Sequence, residues 1–159
     1  MHTRLATVAD LPALVAVVNA AFEVEKWFID GERISLEKAR EQMNGGVFIV
    51  AEDDAPRGGA PAIVASVYVT RFGDRGYFGM LAVAPGMQGR GLGRIIVEAA
   101  ENYCRLAGCT EMDLSVINLR TELPALYRKL GYVETGTGEL NPHIATKVPA
   151  HLIRMSKHL

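Results

Sequence analysis

The sequence predicts a single α/β domain spanning residues 1–159, and three observations carry that reading. Its 159 residues are 49% apolar and 22% charged, the length and composition of one folded unit with a sizeable core. Runs with strand-like alternation take turns along the chain with runs of helical spacing. Glycine and proline fall between these runs, and no repeat, low-complexity tract or long linker divides the chain.

Residues 3–6 read as a short strand. A helix over 11–22 follows, with Asp10 where an N-cap belongs and Pro12 in the first turn. Leu11, Leu14, Val15, Val18 and Phe22 share one face of it. That helix accounts for a basic start (His2, Arg4) ahead of an apolar run, so neither a signal peptide nor a membrane span is expected. Residues 23–34 have no clear period and read as a loop or broken helix. Residues 35–43 form a helix capped by Ser35 and stopped at Gly45 and Gly46. Strands over 47–52, 63–71 and 77–83 come next, joined by turns at 53–61 and 73–76.

A longer helix then carries Leu92, Ile95, Ile96, Ala99, Ala100 and Tyr103 on one face. Arg94–Glu98 and Glu101–Arg105 have the spacing of i,i+4 ion pairs on the other side. Gly108 ends it. Residues 111–117 alternate as a strand, 123–130 form a short helix stopped by Gly131, and 151–156 close as a strand. A strand, a glycine turn, a long helix and a further strand make a βαβ-like unit, with its ligand crevice at the strand's carboxyl end.

Composition excludes several function classes. Net charge is −1, from 17 basic and 18 acidic side chains, so no general field exists to hold a nucleic-acid backbone. Cys104 and Cys109 make no disulfide framework, and a reduced cytosolic setting is the simpler reading. His2, His143, His151 and His158 lack metal-ligand spacing, so no metal is expected. Cys104 shares a helical face with Ile96 and Ala100, which reads as core, and Cys109 sits in a loop with no basic partner nearby in sequence.

The stretch Met87-Gln88-Gly89-Arg90-Gly91-Leu92-Gly93-Arg94 carries the chemistry. Glycines at a helix start let backbone N–H groups approach a ligand, and that end of the helix carries partial positive charge. Gln88, Arg90 and Arg94 add donors, so the guest is a phosphate or pyrophosphate. No Lys-Ser or Lys-Thr follows, which rules out a P-loop, and the glycine spacing misses the dinucleotide pattern by one residue.

Gln88-Gly89-Arg90-Gly91-Leu92-Gly93 does resemble the pattern [QR]-x-x-G-x-[GA] of the GNAT superfamily of N-acetyltransferases. Leu81-Ala82-Val83-Ala84-Pro85 before it and Leu126-Tyr127-Arg128-Lys129-Leu130-Gly131-Tyr132 after it are also similar to that family's signatures, and the order of elements fits along essentially the whole chain. The resemblance implies a mixed, mostly antiparallel central sheet with a splayed pair of strands and flanking helices. It implies acetyl-CoA as acyl donor, with Leu81, Ala82 and Val83 along the pantetheine arm. Gln88, Gly89, Arg90, Gly91, Leu92, Gly93 and Arg94 would surround the pyrophosphate. It makes Tyr127 the catalytic acid beside the sulfur, where a phenol of pKa about 10 meets a thiol of about 8.5.

Departures from the family pattern leave two points open. Residues 77–80 (Tyr-Phe-Gly-Met) hold no carboxylate, so the general base is a water chain, Asp113, Glu122 or an acid of the 23–32 loop. Relatives often place a cofactor-contacting Asn seven residues before the tyrosine. Here that slot is Arg120, with Asn118 two residues earlier. On the acceptor side, Glu25, Trp27 and Phe28, with Glu23, Asp30 and Glu32, suit a cationic amine or else form a solvated loop capping the core. Asn141-Pro142-His143 would form the opposite wall. The acceptor is a small-molecule or peptide amine, with no nucleic-acid or membrane partner, and a homodimer is left open. A catalytically silent CoA-binding module is the competing reading.

Overall fold

The computed structural model describes residues 1–54 and 59–159, and part of the turn expected at 53–61 lies outside the described residues. Strand β1 (His2–Leu5) pairs antiparallel with β2 (Val47–Asp53), which leads through β3 (Ala62–Phe72) to β4 (Arg75–Val83) in antiparallel order. From β4 the chain crosses over through helix α3 (Leu92–Leu106), so β5 (Glu111–Ile117) lies parallel to β4. Strands β6 (Val133–Gly138) and β7 (Leu152–His158) complete a seven-stranded sheet in the order β1-β2-β3-β4-β5-β7-β6. The expected mixed, mostly antiparallel sheet is therefore present, with one parallel pair.

Helices α1 (Leu11–Ala21) and α2 (Leu36–Gln42) cover one face of the sheet, and α3 and α4 (Leu123–Lys129) the other. Alternation in β2 decides which side each residue serves. Phe48 and Val50 pack with Leu11, Leu14 and Val18 of α1, while Ile49 and Ala51 pack with Leu92 and Ile96 of α3. Ser35 caps α2 as predicted, its hydroxyl accepting from the Lys38 N–H at 3.1 Å. No helix among the described residues is long and apolar enough to cross a membrane.

Four sequence readings are corrected. Asp10 holds the N-cap position of α1, but its side chain makes no cap bond to that helix. Its carboxylate accepts from the Thr7 N–H at 2.7 Å, closing a 3₁₀ turn ahead of the helix, and a forked Arg4 at 2.7 and 2.8 Å holds it well below the usual carboxylate range. The turn after β3 is tighter than 73–76, because β4 begins at Arg75. Strand β6 was not expected. Glu101 forms no pair with Arg105 but turns inward, 2% exposed, while Ile95 lies 41% exposed. The reason is rotation of the helix face: Val97, Glu101 and Cys104 share the buried stripe with Ile96 and Ala100.

Inside, Glu101 accepts from the Tyr132 hydroxyl at 2.9 Å and pairs with Lys157 of β7 at 3.0 Å. Burial first, and Glu101 second, push the Tyr132 phenol far above its ordinary value. Burial does the same to Tyr127. The folded protein therefore keeps protons that the unfolded chain gives up above about pH 10. We expect stability in urea to be fully present below pH 10 and to fall as the pH climbs past it, with Tyr132→Phe reducing the loss.

Candidate active site

Strands β4 and β5 pair at three rungs, Arg75–Glu111, Gly76–Met112 and Tyr77–Asp113. Past the Tyr77 rung they part. β4 stays with β3 as far as Val83, and β5 stays with β7 as far as Ile117, so a fork opens between them. The bend in β4 has a local cause. Register with β3 slips so that Met80 and Leu81 together oppose Val67, and Met80 adopts φ +51. A methionine there costs about 1–3 kcal/mol, which the packing of its side chain against α1 and α2 residues offsets. The bulge also shifts the alternation: Phe78 faces α3, Met80 and Ala82 face α1, and Leu81 and Val83 return to the α3 side. Along the fork, the β4 backbone has no strand partner on its β5 side.

At the mouth of the fork the chain turns through Pro85–Met87 into the glycine stretch. Gly89 and Gly91 lie at φ +80 and +78, and no atom stands within 4 Å of where a side chain would begin on either. Gly91 is the N-cap of α3, and the helical ladder starts with the Ile95 N–H donating to its carbonyl at 3.1 Å. Buried Leu92 anchors this helix start. The N–H groups before Ile95 thus point outward as a bare donor cluster. Exposed Arg90 and Arg94 flank it, the latter sharing Glu98 at 3.4 Å as predicted, and Gln88 turns its amide toward the Val83 carbonyl at 3.5 Å.

Tyr127, from α4, lies on the inner side. It is 5% exposed, with its ring against Phe78 and Tyr132 at 5.9 and 6.1 Å. Burial raises the phenol pKa, the nearby Arg120 guanidinium opposes it, and the hydroxyl has no hydrogen-bond partner among the described residues. Tyr77 of β4 is near enough to add to that rise, and its own phenol is also raised by burial.

The carboxylates around the fork are occupied. Asp113 is forked by Arg75 at 2.8 and 2.7 Å and accepts from Ser156, which holds it below the usual range. Burial acts to raise Glu122, but Arg120, at 2.7 Å, outweighs that and leaves it lowered. Arg120 also reaches Glu25 at 2.8 Å, tying the 23–34 loop to the β5–α4 turn. Asn118 fastens the end of β5, its side-chain oxygen accepting from the His151 N–H at 2.9 Å.

The acceptor-side loop differs from its sequence picture. Glu23 and Glu32 pair with Lys26 at 3.0 and 3.8 Å, and Asp30 pairs with Lys147 at 3.1 Å. Together with Glu25–Arg120, every acid of the loop has a cation beside it, with Lys26 shared by Glu23 and Glu32 and Arg120 shared by Glu25 and Glu122. Trp27 is 59% exposed, while Phe28 is wholly buried and offers nothing to a ligand. A segment after β6 does close over this loop. Ile29 bridges Thr146, and the Lys147 N–H donates to the Phe28 carbonyl at 2.8 Å, which brings exposed Asn141, Pro142 and His143 to the same side of the molecule. Cys104 is buried, its thiol pushed up to about 12 by burial and by Cys109, which removes it as a nucleophile.

Sequence reasoning missed the Glu25–Arg120 tie and the place of Tyr77. Alternation alone could have found the latter, since it sets Tyr77 opposite in facing to Phe78.

Solved structures match this architecture closely. A ribosomal-protein-alanine N-acetyltransferase from Brucella melitensis is similar at 23% identity and TM-score 0.75, with all of both chains covered. The ribosomal-protein-S18-alanine N-acetyltransferase from Escherichia coli is 17% identical, TM-score 0.74, covering 99% of this chain and 92% of that one. A Mycobacterium tuberculosis protein solved in complex with CoA is 19% identical, TM-score 0.71, covering 100% and 99%. At such identities the likeness shows the fold. No curated protein matches the sequence. The profile of the acetyltransferase (GNAT) family, however, matches residues 13–132, most of the chain and both the glycine stretch and Tyr127, and the protein belongs to that family.

Proposed function

We propose that this chain moves an acetyl group from acetyl-CoA to a primary amine by direct attack within a ternary complex. One observation carries the reading: a strand fork whose unpaired β4 edge runs from a bare helix N-terminus at its mouth to a buried phenol inside. The residues fit the donor. Backbone N–H groups of Gly89, Gly91, Gly93 and Arg94, with the side chains of Gln88, Arg90 and Arg94, would hold the pyrophosphate, and Leu92 fixes the helix that presents them. Backbone edges at Leu81, Ala82 and Val83 would align the pantetheine amides, with Asn118 across the fork at the end of β5.

Bound acetyl-CoA supplies an activated thioester. A backbone N–H of the β4 edge polarises the carbonyl under attack. Tyr127 donates its O–H to the sulfur as negative charge develops there. Its raised pKa keeps the proton in place at neutral pH, so the phenol stabilises the leaving thiolate more than it surrenders a proton. The amine's surplus proton leaves through water, because Asp113, Glu122 and Glu25 are each held by an arginine. Two buried free thiols suit a reducing cytosol, and the balanced net charge argues against nucleic acid as acceptor.

Thiol release from acetyl-CoA, followed with a panel of amines, tests the proposal. Amine-dependent release with intersecting double-reciprocal lines is expected. Binding of acetyl-CoA with no release for any amine would replace it by the silent CoA-binding module, which the lack of an unpaired carboxylate at the fork among the described residues favours. The pyrophosphate contacts have their own test. Gly91→Val forces a β-branched residue to φ +78, costing about 1–2 kcal/mol and re-aiming the donor cluster. Its Kd for acetyl-CoA by calorimetry is expected to rise about 10-fold or more.

A further inference from the structure

Helix α1 packs on β3 and β4, and beyond β4 the same face of the sheet opens into a cleft of about 370 Å³. The cleft starts at the fork and crosses β5 to β7. Its walls include Tyr77 beside the last β4–β5 rung, Ser115 of β5, and Arg154 and Ser156 of β7. Register places Ser115 directly opposite Arg154, and Asp113 opposite Ser156.

The charges in this cleft do not cancel. Asp113 is consumed by Arg75 and Ser156, as above. Glu111, on the same side of β5, lies against the His158 ring at 2.5 Å and not against Arg154. Among the described residues, Arg154 has no carboxylate within ion-pair distance. Its guanidinium is nonetheless placed: it lies against Gly138 of β6, where an added Cβ would come within 2.6 Å of Nη2. One arginine without a carboxylate partner therefore lines the same cleft as the hydroxyls of Tyr77 and Ser115, donors that suit a carboxylate better than a cation.

We infer that Arg154 reads a carboxylate on the acceptor, and that the acceptor is an acidic amino acid or short peptide rather than a polyamine. The inference rests on the acyl-transfer reading above. Its amine lies at the fork and its carboxylate over β7, one to two strand spacings away, about 5–10 Å. An acidic side chain or a dipeptide terminus spans that distance.

The test compares glutamate and glycylglycine with glycylglycinamide, glycinamide and spermidine, on wild type and on Arg154→Gln, Arg154→Lys and Gly138→Ala. Both KM in the acetyl-CoA reaction and binding to the CoA-saturated protein by calorimetry are read. Carboxylate acceptors are expected to have the lower KM. Arg154→Gln should raise it about 10- to 100-fold for them with kcat within about threefold, leaving glycinamide unchanged. Arg154→Lys should recover part of the loss, and Gly138→Ala, which keeps the charge but displaces it, should reproduce part of it. Equal KM for acids and amides, or an Arg154→Gln effect shared by every acceptor, overturns the inference while acyl transfer stands. If no amine is turned over, acyl transfer fails and binding decides alone. Glutamate or glycylglycine bound by wild type and lost in Arg154→Gln upholds the carboxylate site, and no binding overturns it.

Discussion

Tyr127→Phe is expected to lower kcat by about 100-fold or more while leaving the melting temperature and the KM for acetyl-CoA nearly unchanged. The substitution removes one oxygen and keeps the ring that packs against Phe78 and Tyr132. Because the Tyr127 hydroxyl has no partner among the described residues, the resting protein loses no hydrogen bond with it. What disappears is a donor required once sulfur begins to carry negative charge, so the loss falls on kcat. Steady-state thiol release beside a thermal melt separates the outcomes. A full-rate variant would remove Tyr127 from the chemistry. A variant that loses rate and stability together would mark it as core.

Glu101→Ala should cost about 3–5 kcal/mol of stability, a fall in Tm of roughly 10 °C for a chain of this length. The carboxylate is 2% exposed and joins three parts of the fold: α3, the Tyr132 hydroxyl after α4, and Lys157 of β7. Removing it strands the buried Tyr132 hydroxyl without an acceptor and leaves the half-buried Lys157 ammonium without its partner. Glu101→Gln, which keeps one acceptor for Tyr132, is expected to lose less. Urea unfolding at pH 7 measures both, and equal stability for all three proteins would show that the network contributes nothing net. Because Tyr132 packs edge-on against Tyr127, this network also fixes the phenol at the fork.

Local signals are legible in the sequence. The apolar face of α1, the Ser35 cap and the Arg94–Glu98 pair all depend on residues within a few positions of one another, and each formed as read. The glycine stretch was legible for the same reason, since φ values of +80 and +78 at Gly89 and Gly91 are a backbone demand that glycine alone meets freely. Long-range pairing was not. Glu101 fits an exposed i,i+4 pair as well as a buried network, and the choice was made by Tyr132 and Lys157, 31 and 56 positions away. Strand β6, with Gly136, Gly138 and an exposed Val133, has little apolar pattern to announce it and exists by backbone pairing to β7. The acids of the 23–34 loop read equally as a site for a cationic amine or as a solvated loop, because Arg120, 95 positions from Glu25, cannot be placed beside them from sequence.

The most direct test of the account is transfer of isotopically labelled acetyl from acetyl-CoA, read by mass spectrometry on the amine and on the intact protein in one reaction. Labelled amide appearing in step with free thiol, with the protein mass unchanged, is the predicted result. Thiol released without labelled amide, or label retained on the protein, would contradict direct transfer at the β4–β5 fork.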